Sequence, residues 1–122
     1  MSIDKVNLAQ AFARFDEAWS PKVAGDVNEF QVKLVKLRGE FVWHHHERED
    51  ELFLVVKGRL RMQFRDRTVV VEPGELIVVP HGVEHCPAAD GECHVLLLEP
   101  KSTLNTGNVA NERTVEKLER LD

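Results

Sequence analysis

Residues 39–51 read Gly39-Glu40-Phe41-Val42-Trp43-His44-His45-His46-Glu47-Arg48-Glu49-Asp50-Glu51, so an apolar, strand-like stretch runs into three histidines and then a group of acids. Residues i and i+2 of a strand point to the same side. His44 and His46 can therefore share one target, while His45 points elsewhere. Two imidazoles and a carboxylate form a ligand set suited to a divalent transition metal. Three acids are close enough to supply the carboxylate, namely Glu49, Asp50 and Glu51.

A fourth ligand is available farther along the chain. His85 closes the segment Pro80-His81-Gly82-Val83-Glu84-His85, which follows the apolar run Leu76-Ile77-Val78-Val79. Proline and glycine at these positions are typical of a turn between two strands. A turn here could bring His85 back towards the histidine segment, and a metal site is the leading hypothesis.

The spacing of these two segments resembles the two signature motifs of the cupin superfamily, G-x5-H-x-H-x3–4-E-x6-G and G-x5-P-x-G-x2-H-x3-N. In this chain the motifs read Gly39-x4-His44-x-His46-x4-Glu51-x6-Gly58 and Gly74-x5-Pro80-x-Gly82-x2-His85. The resemblance covers about residues 39–89. Gly39 lies one residue closer to its histidine than the family pattern has it, and Ala89 replaces the closing asparagine. Neither departure removes a ligand.

The resemblance implies a double-stranded β-helix, also called a jelly-roll barrel, that holds one divalent metal ion such as Fe, Mn, Ni or Zn. It identifies Glu51 as the carboxylate ligand because the spacing from Glu51 to Gly58 matches the E-x6-G part of the motif. The implied ligand set is therefore His44, His46, Glu51 and His85, with open positions for water or substrate. Two other interpretations stay open: a solvated histidine-rich turn with incidental metal affinity, and a barrel that no longer binds metal.

The hydrophobic pattern predicts an all-β domain with a short helix at each end. Residues 7–15 have the apolar period of a helix, with Asn7 as its N-cap, and residues 114–121 have the same period. Between them the period changes to two, in short segments separated by turns, which is typical of a sandwich or barrel. The predicted strands lie at 28–38, 41–46, 51–57, 59–64, 68–72, 75–79 and 92–99, with turns at Gly39-Glu40 and Asp90-Gly91 among others. This gives a barrel core at about 28–99, followed by a C-terminal arm and helix at 101–122.

Length and composition indicate a single globular domain over residues 1–122, with 43% apolar and 30% charged residues. The net charge of −5 argues against a nucleic-acid or anionic-membrane surface. No apolar run approaches the roughly 20 residues that span a bilayer, and the N-terminal residues lack the apolar core of a signal peptide. We therefore expect a cytoplasmic protein whose two cysteines, Cys86 and Cys93, are reduced.

The resemblance extends to small single-domain bacterial cupins, often catalogued as mannose-6-phosphate-isomerase-like, and includes the segment Asn105-Thr106-Gly107-Asn108. Relatives with this ligand set catalyse different reactions or none, so the fold does not select a reaction. We expect a metal-dependent enzyme, dioxygenase-like or isomerase-like, that acts on a small polar organic molecule. The alternative is a non-catalytic small-ligand-binding or sensing protein. No catalytic residue can be assigned, although Glu49 and His81 are candidate general bases.

We also expect a homodimer. Small barrels of this family usually pair, and the strands carry more apolar surface than one small barrel needs. The N-terminal segment with Trp19 and the C-terminal helix are candidate contacts. Phe41 and Trp43, expected on the strand face opposite His44, are candidates for the core or for a subunit contact.

Overall fold

Strands make up most of the regular structure, as the sequence predicted. The structure, a computed structural model, describes residues 3–122, so the first two residues of the N-terminal sequence lie outside it. Its elements are α1 (Leu8–Phe12), β1 (Lys22–Val27), β2 (Phe30–Glu40), β3 (Glu51–Lys57), β4 (Leu60–Phe64), β5 (Thr68–Val71), β6 (Leu76–Val79) and β7 (His85–Pro100). The predicted all-β class is confirmed. Within the described residues, no helix is both long and apolar enough to cross a membrane.

The long strand β7 lies at the centre of the sheet because it pairs with three neighbours. β2 runs antiparallel along most of its length, β4 pairs with its first residues, and β3 pairs with its second half. The main order is β1-β2-β7-β3-β6, and β5 joins through β4. β7 therefore connects two groups of strands around one interior.

Alternate residues of these strands face a common apolar core, as the period-two pattern requires. The core contains buried residues from β2 through β7: Val35, Leu37, Phe53, Val55, Leu60, Met62, Val71, Val79, Ala89, Cys93, Val95 and Leu97. A second cluster lies on the other face of β2, where Phe12 of α1 and Phe15 pack with Leu34. The interior also contains buried polar side chains, among them His44, Glu51 and His85, beside the first cluster.

The N-terminal helix forms where the sequence predicted it, but it is shorter. Asn7 is the N-cap, and its side-chain oxygen accepts a hydrogen bond from the backbone N–H of Gln10 (2.9 Å). The helix ends at Phe12 rather than at Phe15. Phe15 is nevertheless buried in the cluster beneath the helix, so the apolar period marked the correct side chains but not the end of the helix.

The predicted helix at 114–121 is wrong. The backbone N–H of Val23 donates to Glu119 O (2.9 Å), and the N–H of Leu121 donates to Val23 O (2.7 Å). These residues therefore run beside β1, and their backbone groups bond to another segment instead of making i to i−4 bonds. The apolar period of this segment comes from contacts such as that of Leu121 with the α1 cluster.

The predicted strand at 41–46 is also wrong as a regular strand. Only His44 makes a bridge, and its partner is His85. The segment lacks continuous pairing, yet its histidines keep the alternation of a strand: His44 and His46 are buried, and His45 between them is half-buried.

Pairing with neighbours also carries two strands through their predicted turns. β2 continues through Gly39-Glu40, with a β-bulge between Leu37 and Gly39, and β7 begins at His85 and passes through Asp90-Gly91. A bulge lets a strand bend without ending, so glycine here marks a bend. β1 was not predicted, whereas β3 to β6 lie within one residue of their predicted bounds.

Candidate metal centre

Backbone hydrogen bonds hold the histidine segment, residues 41–46, against the start of β7. The N–H of His44 donates to His85 O (3.0 Å), and the N–H of His85 donates to His44 O (2.9 Å). His46 points to the same side as His44. Its backbone carbonyl accepts a hydrogen bond from the N–H of Gly82 (2.7 Å). These bonds bring together the two parts of the sequence that carry the predicted ligands.

Four buried side chains converge at this place, and they are the four predicted ligands. One ligand atom from each of His44, His46, Glu51 and His85 lies within 4.8 Å of all the others. Glu51 is the first residue of β3, and the alternation of that strand turns it inward with Phe53. Metal–ligand bonds of roughly 2.0–2.2 Å place opposite ligand atoms about 4 Å apart, so the cluster has the dimensions to hold one divalent ion.

The other candidates in the histidine and acid runs lie outside this cluster. The side chain of His45 is 31% exposed and points towards Glu47. Glu49 accepts a hydrogen bond from Ser102 Oγ (2.7 Å), and Asp50 bonds to both the backbone and the ring of His81 on the surface. Neither candidate general base, Glu49 or His81, lines the cavity beside the cluster.

The hydrogen bonds of the histidines leave ligand lone pairs facing one another. Nδ1 of His44 lies 2.9 Å from Val42 O, and Nδ1 of His85 lies 2.8 Å from Val83 O. A carbonyl oxygen can only accept, so both Nδ1 atoms carry a proton. In the neutral ring of His44 the lone pair is therefore on Nε2, whereas Nε2 of His85 lies 3.2 Å from Glu51 Oε1. Nε2 of His46 is buried and has no aligned hydrogen bond, although Glu51 Oε1 is only 3.0 Å away. Several electron pairs thus share one buried space, which fits a bound cation.

Electrostatics keep His44 and Glu51 in the protonation states that a metal requires. Burial, and next the charge of His85, lower the pKa of His44 to about 4, so this imidazole is neutral at pH 7. Burial alone would raise the pKa of the Glu51 carboxyl, but the imidazoles of His46 and His85 outweigh it and hold that pKa well below its ordinary value. A neutral imidazole and an ionised carboxylate are the forms that bind metals.

A buried hydrogen-bonded pair, Lys33 and Glu99, lies beside the cluster, and the sequence did not predict it. Lys33 Nζ is 2.6 Å from Glu99 Oε2, and both side chains are only 2% exposed. Burial, and next the adjacent Glu51 carboxylate, raise the pKa of Glu99 well above its ordinary value. Glu51 is therefore the ionised member of this carboxyl pair, as a metal ligand should be. The available signal was the inward position of Lys33 in the alternation with Val35.

A narrow cavity of about 40 Å³ opens beside the cluster. Its wall is mainly apolar and is formed by Trp19, Pro21, Val35, Leu37, Phe41, Phe53, Pro87 and Leu97. Its polar groups are His44, Glu51, Glu99 and Asn105. The Phe41 ring stacks on Trp19 (4.6 Å between centroids) and meets His44 edge-on (5.5 Å), so Phe41 does not lie on the face opposite His44 as the sequence suggested.

The remaining histidine and the cysteines lie away from the cluster. The His94 ring stacks on Phe12 (4.5 Å) and bonds to Glu92 (2.7 Å). Cys86 and Cys93 are free and buried, and burial raises the pKa of both thiols to about 11. Both thiols are therefore protonated and unreactive at pH 7.

Comparison with known proteins agrees with the fold and the motifs. A crystal structure of a cupin-2 domain containing protein from Shewanella frigidimarina is 45% identical, with a TM-score of 0.78, covering 79% of this chain and 94% of that chain. Protein NMB1881 from Neisseria meningitidis is 33% identical, with a TM-score of 0.74, covering 80% of this chain and all of that chain (100%).

A third relative is the uncharacterized protein YdbB of Bacillus subtilis, which is 39% identical over 61 residues. That match covers 49% of this chain and about half (54%) of YdbB. The family profile described as the cupin domain matches residues 32–99, which run from within β2 almost to the end of β7 and so include both motifs and all four clustered residues. This chain belongs to the cupin family.

Proposed function

We propose that this protein binds one divalent metal ion through His44, His46, Glu51 and His85 and is a metal-dependent enzyme acting on a small organic molecule. The observation that carries the proposal is the convergence of three buried imidazoles and one carboxylate, in which backbone carbonyls bind Nδ1 of His44 and of His85. A cation is the partner that such a group requires. Fe, Mn, Ni and Zn all accept this ligand set.

The cavity supports a dioxygenase-like or isomerase-like reaction. A divalent ion at this position would supply Lewis acidity and, if it is redox-active, one-electron chemistry with dioxygen. The side chains of Phe41, Phe53 and Leu97 would exclude water and pack against the substrate. Glu99, whose carboxyl lines the cavity and adjoins Glu51, would orient a polar group of the substrate.

The cavity wall also narrows the class of substrate. Among the described residues, no lysine or arginine lines the cavity. Two of the polar groups that do line it are the carboxyls of Glu51 and Glu99. A phosphate or another multiply charged anion would find no basic side chain there. The wall favours a small molecule with an apolar body and a polar end whose oxygens chelate the metal.

Metal analysis of untagged protein tests the site. We expect about one divalent ion per chain in the wild type, and little or none in His44→Ala and in His85→Ala, because each loses a ligand. His45→Ala is the matched control, since it removes a neighbouring histidine that lies outside the cluster, and it should keep its metal. Unchanged metal content in both ligand variants would contradict the site.

A second candidate function is that of a non-catalytic ligand-binding or sensing protein. The small volume of the cavity favours it. So does its lining, whose titratable groups among residues 3–122 are His44, Glu51 and Glu99. A thermal-shift screen of small molecules on metal-loaded protein, followed by NMR of each hit, separates the two candidates. Metal-dependent product formation supports the enzyme, whereas a hit that is bound but unchanged supports the sensor.

We further propose that the protein is a cytoplasmic homodimer. The free thiols of Cys86 and Cys93 are compatible with a reducing compartment. One of the expected dimer contacts is absent, because residues 114–121 do not form a helix. The exposed apolar side chains of β6, Leu76 and Val78, support the outer sheet face as the contact instead.

A further inference from the structure

The histidine segment has two sides, and only one of them bonds to the barrel strands. His44 pairs with β7 through His85, and His46 accepts a bond from the turn at Gly82. His45, which alternates with them, bonds in the other direction, towards the C-terminal arm. Since residues 41–46 do not form a regular strand, the positions of the two histidine ligands depend on both sets of bonds.

Asn108 makes both of the hydrogen bonds on the arm side. Its side-chain Oδ1 accepts from the N–H of His45 (2.8 Å), and its own N–H donates to His45 O (3.1 Å). One residue thus holds both peptide groups of His45, and these groups connect His45 to His44 and to His46. Asn108 itself is exposed, so it contributes little to the core.

Gly107 brings the arm into direct contact with a ligand. A Cβ atom at this position would lie 2.2 Å from His45 O and 3.0 Å from Cδ2 of the His44 ring, and the residue has φ +55. Only glycine lets the backbone approach this closely in this conformation. The arm is therefore packed against the Cδ2 edge of the His44 imidazole, next to Nε2.

The loop that carries Gly107 and Asn108 is held by hydrogen bonds to residues 113–115 of the arm. Asn105 accepts from the N–H of Val115 (2.8 Å) and donates to Arg113 O (2.7 Å). Thr106 is fully buried, and its hydroxyl bonds to that of Thr114 (2.7 Å). Every residue of the segment Asn105-Thr106-Gly107-Asn108 thus has a contact, either with the following part of the arm or with the histidine segment.

We infer that the loop formed by residues 105–108 positions the metal site, with Asn108 and Gly107 as positioning residues for His44 and His46. The inference rests on the proposed metal site. It gives a physical role to a segment that the sequence singled out only by resemblance. The loop fixes the peptide between the two ligands from outside, while Val42 O and Val83 O orient the rings of His44 and His85 from inside.

Cobalt(II) is a suitable probe, because its visible absorption reports the number and geometry of its ligands. Asn108→Ala should weaken Co²⁺ binding by about tenfold, the lower end of the effect of removing a group that orients a ligand, and should change the spectrum. Asn108→Asp keeps the acceptor oxygen and should bind Co²⁺ as the wild type does. Asn111→Ala is the matched control, because Asn111 makes a similar bond to Arg113 N–H (2.8 Å) within the arm but does not contact the histidine segment.

Gly107→Ala provides a second, independent measurement. It should also weaken Co²⁺ binding, because the added methyl group pushes the loop away from His44. Gly74→Ala is its control: Gly74 has a similar positive φ (+84), but no atom lies within 4 Å of the added Cβ. This variant should lose stability without losing Co²⁺ affinity.

The outcomes separate the inference from the proposed site. Wild-type affinity and spectrum in both Asn108→Ala and Gly107→Ala would overturn the inference alone, and so would an equal loss in Asn111→Ala. A wild-type protein that does not bind Co²⁺ would overturn the proposed metal site and the inference with it.

Discussion

Burial determines the charge of His44. The ring is 3% exposed, and its pKa falls from the ordinary 6.5 to about 4 because water is excluded and His85 lies nearby. The unfolded chain therefore binds a proton at His44 below pH 6.5, whereas the folded chain does not bind one until about pH 4. Stability from this group is present above pH 6.5 and is lost as the pH falls towards 4.

We predict that metal-free protein, prepared with a chelator, loses about 2 kcal/mol of unfolding free energy from His44 alone between pH 7 and pH 5. Urea unfolding of the wild type and of His44→Gln at the two pH values measures this contribution, since glutamine does not titrate. The wild type should lose more stability on acidification than the variant, by about this amount. Equal losses would show that His44 is not held neutral by burial.

Gly58 explains, at the scale of single elements, why the first motif ends in glycine. It lies between β3 and β4 with φ +85, and a Cβ there would be 2.6 Å from Glu92 O and 3.0 Å from Cα of Cys93. The turn thus packs directly on the backbone of β7, so a side chain could be accommodated only by moving one of the two strands. The spacing from Glu51 to Gly58 is the length of β3 and its turn, and that length places Glu51 at the cluster.

Gly58→Ala should therefore lower the unfolding free energy by about 2–4 kcal/mol, through backbone strain and the close contact with β7. Gly25→Ala on β1 is the control, because no atom lies within 4 Å of its added Cβ and its φ is not in the left-handed region. The control should change stability by less than about 1 kcal/mol. Thermal or urea unfolding measures both, and similar effects in the two variants would refute the close packing at Gly58.

At the scale of the whole molecule, one outer face of the sheet is apolar across four strands. The pairing of β6, β3, β7 and β2 aligns two rows of side chains on this face, Val78–Leu52–Leu98–Val32 and Leu76–Leu54–Leu96–Leu34. Helix α1 covers the β2 end of the second row. The β6 end is uncovered, with Leu76 57% and Val78 50% exposed, and β6 is an edge strand. Such a face is typical of a contact between subunits.

We predict that the wild type sediments as a dimer at micromolar concentration and that Val78→Lys converts it to a monomer, because the lysine would place a charge in the apolar contact. Val70→Lys is the matched control: Val70 is 49% exposed, but it lies on β5, outside this face. It should remain a dimer. Sedimentation velocity distinguishes these cases, and a monomeric wild type would refute the dimer.

The elements that the sequence predicted well are those that depend on near neighbours. β3 and β6 alternate apolar side chains between turns, and that pattern predicts their bounds to within one residue. The cap at Asn7 is likewise a contact with Gln10, three residues away. The errors lie where distant partners compete for the backbone, as at 114–121, which pairs with β1, and at 41–46, which is held by β7 and the arm.

The sequence by itself predicted the all-β fold, because strand alternation is a local property, and the resemblance of its spacing to the cupin motifs identified the four clustered residues. Only the tertiary structure decided what surrounds them. The partners Lys33 and Glu99 are 66 residues apart, and His45 and Asn108 are 63 apart. Such pairs form because burial leaves a charge or a peptide group without water, and it must then bond to whatever polar group the fold brings beside it.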